Sequence, residues 1–460
     1  MRAFALTSLE KRAITSISLI IVLRMIALFM VLPLFALYAS TLQGATPFLI
    51  GLALGIYGLL QAFFQIPFGM LSDQYGRKPI IAFGLILFIL GSVLSGCATS
   101  IWSMILGRAL QGAGAVGSTL LALLSDCTRI ERRAQAMAIA GIGIGLAFGL
   151  AMLLGPFLNQ WINVGGIFLL AACLGSITLI LLYTITPAPL ENHLASRSEN
   201  RVSDLWTLLI HPDLWRLNSG IFILHCTFSA NFIAIPFSIM HAAHLSASQQ
   251  WILYVPSLLL AFPLSLFIMG FAEQKRKIKS CFLFAIGMLC VSAVLLQQLS
   301  ASPVCIIATL CLFFTGFSLL EGFLPSLVSR VAPRQHKGSA LGIYSCAQFL
   351  GIFAGGIIGG FLYGYLNINS IYSFSLLLSL VWLAVASFMQ SPPRFISHIL
   401  TLHDCNKADW TTILKTIETK AQQHLVEVHY VAEEYTFYLK MYDTPAALQC
   451  FLQLKETVES

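Results

Sequence analysis

A chain of 460 residues that is 58% hydrophobic and only 10% charged cannot cover its own surface as a soluble globule, in which roughly a quarter of residues carry charge. A mean hydropathy of +0.84 excludes both a soluble enzyme and a disordered chain, and points to a lipid bilayer as the solvent. The formal charge of +7, from 26 Lys and Arg against 19 Asp and Glu, lies in the segments between apolar runs, so it sets topology and implies no nucleic-acid partner.

Apolar runs of bilayer-spanning length predict twelve helices, at 13–38, 48–70, 78–98, 102–124, 134–158, 166–186, 217–240, 251–272, 279–299, 303–327, 338–363 and 370–389. The loops alternate in charge. One set holds Arg2, Lys11, Arg12, Arg77, Lys78, Arg129, Arg132, Arg133, Arg197, Arg201, Arg216, Lys275 through Lys279, Arg330, Arg334, Lys337 and Arg394. The other set, 39–47, 98–101, 159–165, 241–250, 300–303 and 366–370, has no Lys or Arg. The positive-inside rule then places both termini in the cytoplasm, and the unbroken alternation supports twelve crossings. No cleavable leader precedes the first span, which is expected to act as its own targeting signal. The eleven cysteines lie mostly within spans and form no C-x-x-C, so they read as free thiols; no metal site or cofactor is implied.

The chain repeats itself. Residues 129–139 align without gaps on 333–343, each leading into a span, the fifth and the eleventh. Asp73 and Arg77 have a worn counterpart in Glu273 and Lys277. The expected organisation is a six-helix half over 1–186, a linker over 187–216, a second six-helix half over 217–390 and a small domain over 394–460. Two halves related by duplication are what rocker-type alternating access requires. Within the linker, Val202–Trp215 is amphipathic and predicts a helix lying on the membrane face. Beyond Pro393 the periodicity predicts strands at 395–402, 425–431 and 435–442, with helices at 408–422 and 444–458. The order βαββα is that of a ferredoxin-like split βαβ without its last strand. The fold class is thus an all-α polytopic membrane protein with a small α+β tail.

A charged side chain at the bilayer centre costs about 2.5–3.5 kcal/mol on insertion scales. The ionisable residues deep in spans are Arg24, Arg108, His225 and Glu321, in spans one, four, seven and ten. Glu321 can alternate between protonated and ionised forms as a cavity changes sides. The plainer readings are backbone-bonded arginines, a satisfied helix-interface histidine, and a Glu321 that bonds locally or pairs with Arg24. In the tail, His398, His403, His424 and His429 lack the C-x-x-C loop of soft-metal carriers and read as scattered surface residues.

The loop between spans two and three, Gly69 to Pro79, reads G-x-x-x-D-x-x-G-R-K-P and resembles the signature loop of the major facilitator superfamily. Leu106 to Gly112 resembles a span-four motif of the same superfamily that is tied to proton-coupled antiport, and the tail resembles a branch that carries a C-terminal ferredoxin-like domain. The resemblance implies that spans one, four, seven and ten line a central cavity. It implies that Asp73 latches onto the start of span eleven near Gly338 in the outward-open state, that Arg77 pairs with Asp126, and that Gly69, Gly76 and Lys78 shape the loop. Two departures stand out: Gln74 replaces a usual cation, and Gly155-Pro156 lacks the closing glycines of many antiporters. The expected function is secondary transport by alternating access, as proton-coupled efflux of a small molecule from the bacterial inner membrane. Proton-coupled uptake and a transporter-like sensor with a ligand-binding tail are the alternatives. The expected partners are a small-molecule substrate, protons and the lipid bilayer.

Overall fold

The computed structural model of the chain describes residues 6–188, 207–299, 301–333, 336–389, 395–401, 417, 419, 421, 425–431, 436–442 and 445–459. They divide into two units, one holding the described residues of 6–332 and 336–389, the other those from 395 onward.

The larger unit is helical. Its elements are α1 (Ser8–Phe29), α2 (Leu32–Ala39), α3 (Pro47–Tyr75), α4 (Arg77–Gly96), α5 (Ile101–Ala113), α6 (Gly117–Asp126), α7 (Ile130–Thr184), α8 (Pro212–Ala243), α9 (Trp251–Gln274), α10 (Ile278–Gln297), α11 (Pro303–Val331), α12 (Lys337–Tyr365) and α13 (Ile368–Ser387). Ten helical stretches among the described residues are long and apolar enough to cross a membrane.

The departures from the expected spans have local causes. The first span is interrupted between α1 and α2, where Pro33 removes a backbone donor and its ring would crowd the Phe29 carbonyl. The fourth is divided at Gly114–Val116 into α5 and α6. Spans five and six are continuous in α7 except at Asn163, whose φ of 46° and ψ of 179° are not helical. The Asn163 side chain accepts from the Gly166 amide at 2.9 Å and so caps the second segment. The amphipathic helix expected over 202–215 is corrected in part. Residues 207–210 are helical, but Pro212–Trp215 form the first turn of α8, with proline at the position best suited to start a helix. Residues 202–206 lie outside those described.

One kind of bond recurs in the two halves read as repeats. Lys78 Nζ donates to the Thr186 carbonyl at 2.6 Å, and Lys279 Nζ donates to the Ser387 carbonyl at 2.9 Å; both bonds bridge 108 residues. Each fastens the start of one helix to the end of another, where a cation neutralises unpaired carbonyls. The turns agree too. Gly76 has φ 93° and Arg276 has φ 57°, each immediately before the basic residue that opens the next helix.

The bundle is closed at one end. Glycines of α3 and α12 interlock: a Cβ on Gly55 would sit 2.8 Å from the Phe353 carbonyl, and one on Gly356 would sit 2.6 Å from the Gly51 carbonyl. Small residues let helices approach this closely where no aqueous hydrophobic effect drives them together. The same stripes continue toward the end that carries the basic loops, but there Gly69, Gly338 and Gly342 have nothing within 4 Å of a built Cβ. The α7–α9 seam behaves alike. Phe157 packs edge-on against Trp251 at 6.1 Å and Gly149 meets Phe262, whereas Gly141, Gly145 and Gly270 face open space. Both seams are therefore shut away from the basic loops and parted beside them.

In the smaller unit, β1 (Phe395–Thr401), β2 (Leu425–Val431) and β3 (Thr436–Tyr442) form an antiparallel sheet of order β1-β3-β2, followed by α14 (Pro445–Glu459). Leu400, Phe437, Leu439 and Met441 of the sheet share a core with Phe451 and Leu454 of α14. The helix expected over 408–422 lies largely outside the described residues, although 417 and 419 are helical; the turn at 433–434 lies outside them too.

The glycine seam yields a direct test. Gly356→Leu forces a side chain onto the α3 backbone, an overpacking that costs about 1–3 kcal/mol in a packed interior. The closed end should then be driven open. Labelling of single cysteines placed along α3 near Gly51 should rise, while the folded yield in detergent changes little.

Candidate functional site

The basic loop is built around Arg77. Its Nε donates to Asp126 Oδ2 at 2.8 Å, and its Nη1 reaches Ser72 Oγ at 2.7 Å and Asp73 Oδ1 at 2.5 Å. Gly76 makes the geometry possible, since its positive φ turns α3 directly into α4 with no intervening loop. The expected pairing of Arg77 with Asp126 is present. Gly338, at the start of α12 where the resemblance places the Asp73 latch, is exposed and has open space beside it. In the second half Glu273, the counterpart of Asp73, approaches Arg330, at the end of α11, at 3.7 Å. Lys277 is exposed.

Sequence reasoning missed a further tie at this end. Glu10 closes a capping box with Thr7 and also accepts from Arg129 Nε at 2.9 Å, joining the start of α1 to the lead-in of α7. An acid three residues after a threonine, just before an apolar run, was the available signal.

The four deep ionisable residues separate into two groups. Arg24 is buried and donates through Nη2 to the Gly114 carbonyl at 3.0 Å and to Gln61 Oε1 at 3.3 Å. The break in the fourth span takes the Gly114 carbonyl out of the helical pattern; it accepts from the Val116 amide at 2.9 Å and also from Arg24. Gln61 also accepts from the Tyr57 hydroxyl at 3.2 Å. Arg108 is buried, with its guanidinium 5.0 Å from the centre of the Tyr57 ring and 5.5 Å from that of Phe35. It donates to Gln111 Oε1 at 2.9 Å, and Gln111 in turn donates to Ser92 Oγ at 2.8 Å. The result is one polar network on α1, α3, α4 and α5, with Tyr57 touching both arginines' surroundings.

The other group lies on α8, α11 and α12. His225 Nε2 is 3.3 Å from Glu321 Oε1 and 2.9 Å from Gln348 Nε2, and its Nδ1 faces the Ile221 carbonyl at 3.3 Å. Glu321 therefore meets His225, not Arg24. One wall is aromatic: Phe317 stacks on Phe228 at 4.2 Å and contacts the His225 ring at 5.6 Å, and Phe148 of α7 completes the cluster at 5.4 Å from Phe317. Gln61 and Gln348 were not singled out beforehand, although an amide inside an apolar run is itself a signal. An apolar groove of about 390 Å³ between α9, α10 and α11 is lined by Leu260, Met288, Ile307 and Thr315 among others, and none of the candidate residues lines it.

A family model described as Major Facilitator Superfamily matches residues 17–356 and, again, 220–399. The chain belongs to the major facilitator superfamily. It is accordingly a multi-pass membrane transporter and not an enzyme. This superfamily member is 38% identical to the inner membrane transport protein YajR of Escherichia coli strain K12, over 96% of each chain. A shorter stretch, 28% of the chain and 33% of the relative, is 34% identical to the class H tetracycline resistance protein of Pasteurella multocida. Among solved structures it resembles a bacterial homologue of the human lysosomal transporter Spinster in an inward-facing and occupied conformation. That likeness has a TM-score of 0.63 at 16% identity, over 84% of this chain and 95% of that one, and is a likeness of fold.

Because Arg77 keeps Asp73 and Ser72 when Asp126 is lost, Asp126→Asn should cost about 1.5 kcal/mol, the low end for bonds to charged groups. Arg77→Ala removes all three contacts and should lower the unfolding temperature further. Thermal unfolding of both variants in the same detergent gives the order.

Proposed function

We propose that this transporter exchanges protons for an exported small molecule by alternating access. The carrying observation is the contact between His225 and Glu321, on two helices that the superfamily resemblance assigns to the cavity lining. A carboxylate beside an imidazole, away from other acids, can take up a proton and release it when exposure changes. One proton moving down 100 mV supplies about 2.3 kcal/mol, enough to bias the cycle.

In this reading the chain crosses the bacterial inner membrane twelve times. The divided fourth span and the bend at Asn163, each counted as part of a crossing, support that number. Two six-helix halves, 1–186 and 217–390, rock about the central residues, and the matched lysine clips on Thr186 and Ser387 support that division. Both termini and the basic loops are cytoplasmic, so a bundle shut away from those loops is inward-facing. The Asp73 latch onto α12 near Gly338 closes in the opposite state, and Arg77 with Asp126 holds the loop ready for it. Gly69, Lys78, Glu273 and Lys277 belong to the same cytoplasmic gate. The tail is a ferredoxin-like domain; its sheet order β1-β3-β2 is the one that fold has when its last strand is left out. Likeness of one stretch to a tetracycline resistance protein favours export as the direction.

The test uses the purified full chain in liposomes with an imposed pH gradient and a panel of lipophilic cations, anions and neutral metabolites. Substrate-dependent proton movement is expected, and Glu321→Gln, which keeps the size and removes the titrating proton, should abolish it. Proton movement that survives in Glu321→Gln would remove Glu321 from the coupling path.

A further inference from the structure

We infer that the transported molecule is an organic anion, a carboxylate or phosphate on an apolar body, and that its charged group binds at Arg108. The inference rests on the transporter reading above and adds the substrate class. Its starting point is an imbalance of charge. Arg24 and Arg108 are both buried, and among the described residues neither has a carboxylate within ion-pair distance. Glu321, the acid nearest in depth, is placed against His225. Buried charges in proteins are paired or bind an ion of opposite sign, since an uncompensated charge in a low dielectric is costly.

The two arginines are not equivalent. Arg24 is held by the Gly114 carbonyl and Gln61, and its charge serves the break between α5 and α6. Arg108 has no backbone acceptor and one side-chain acceptor, Gln111, although the Nε of each arginine is buried with no hydrogen-bond partner. Its guanidinium is flanked by Phe35 and Tyr57, which fix its plane without consuming its donors. A planar fork with free donors matches a carboxylate or phosphate in a bidentate arrangement. The flanking rings, and the Phe148–Phe228–Phe317 cluster across the bundle, provide surface for an apolar body and none for a strongly hydrated one. A cationic substrate would meet two guanidinium groups with no acid beside them.

Matched triplets decide the matter: 1-naphthoate, 1-naphthamide and 1-naphthylmethylammonium, and the same three head groups on a decyl body. Each is titrated into the full chain in nanodiscs by calorimetry, and its proton-coupled movement is followed in vesicles. The carboxylates should bind at least about tenfold more tightly than the amides, a difference set by one charged contact. The ammonium members should not bind. Arg108→Gln should erase the carboxylate preference, and Arg108→Lys, which keeps the charge but not the fork, should retain part of it. Partial retention in the lysine variant separates a lost contact from a misfolded protein. Equal or tighter binding of the amides or ammonium compounds, carboxylate binding unchanged in Arg108→Gln, or no binding by any member overturns the inference. Proton movement with an ammonium member would do so while leaving the exchange mechanism standing. Arg108-dependent carboxylate binding without proton movement would do the reverse.

Discussion

Everything in this bundle answers to one constraint: no water is available in hydrocarbon to satisfy a polar group, so each must find a partner within the chain. Hydroxyls meet it locally, as when Ser92, Ser257 and Thr315 bond back to the carbonyls of Phe88, Leu253 and Cys311. Helix ends meet it with cations, as Lys78 and Arg12 do at the end of α7. Arg24 meets it for the interrupted fourth span. Among the described residues some buried groups lack a complete answer, and atoms of Arg24, Arg108 and Glu321 are among them.

The same constraint explains why the seam between α3 and α12 is made of glycine. With lipid as apolar as leucine, close packing is what holds two helices together. The stripe of small residues can be closed at one end and parted at the other without exposing a polar group, so sliding from one state to the other has little solvation cost. The two halves share their clips and turns but not their charges. Arg77 pairs with Asp126 at one loop, whereas Glu273, at the position of Asp73, pairs with Arg330 at the other.

Much of this was legible in the sequence because the bilayer simplifies the code. Runs of apolar residues and alternating loop charge located the helices, and the cost of charge in hydrocarbon singled out Arg24, Arg108, His225 and Glu321. Partners were harder to read. Nothing in a linear pattern says how α8 and α11 are rotated about their axes, so the meeting of His225 with Glu321 was not foreseen. The role of Arg24 depended on a break in span four, and the composition of Gly112–Gly117 does not distinguish a flexible helix from a divided one. Strand positions in the tail followed from alternation, and the antiparallel pairing of β2 with β3 followed from their proximity in the chain.

The break itself has a mechanical meaning. Below it lies α6, a rod of ten residues and about 15 Å, whose last residue is Asp126. Above it lies α5, which carries Arg108. A continuous helix would act as a crank and transmit any swing of the Arg77 loop to the guanidinium. The joint at Gly114–Val116 acts instead as a clutch. The lower rod can follow the loop while the upper one stays seated against Tyr57, so a bound molecule need not be dragged by the door through which it leaves.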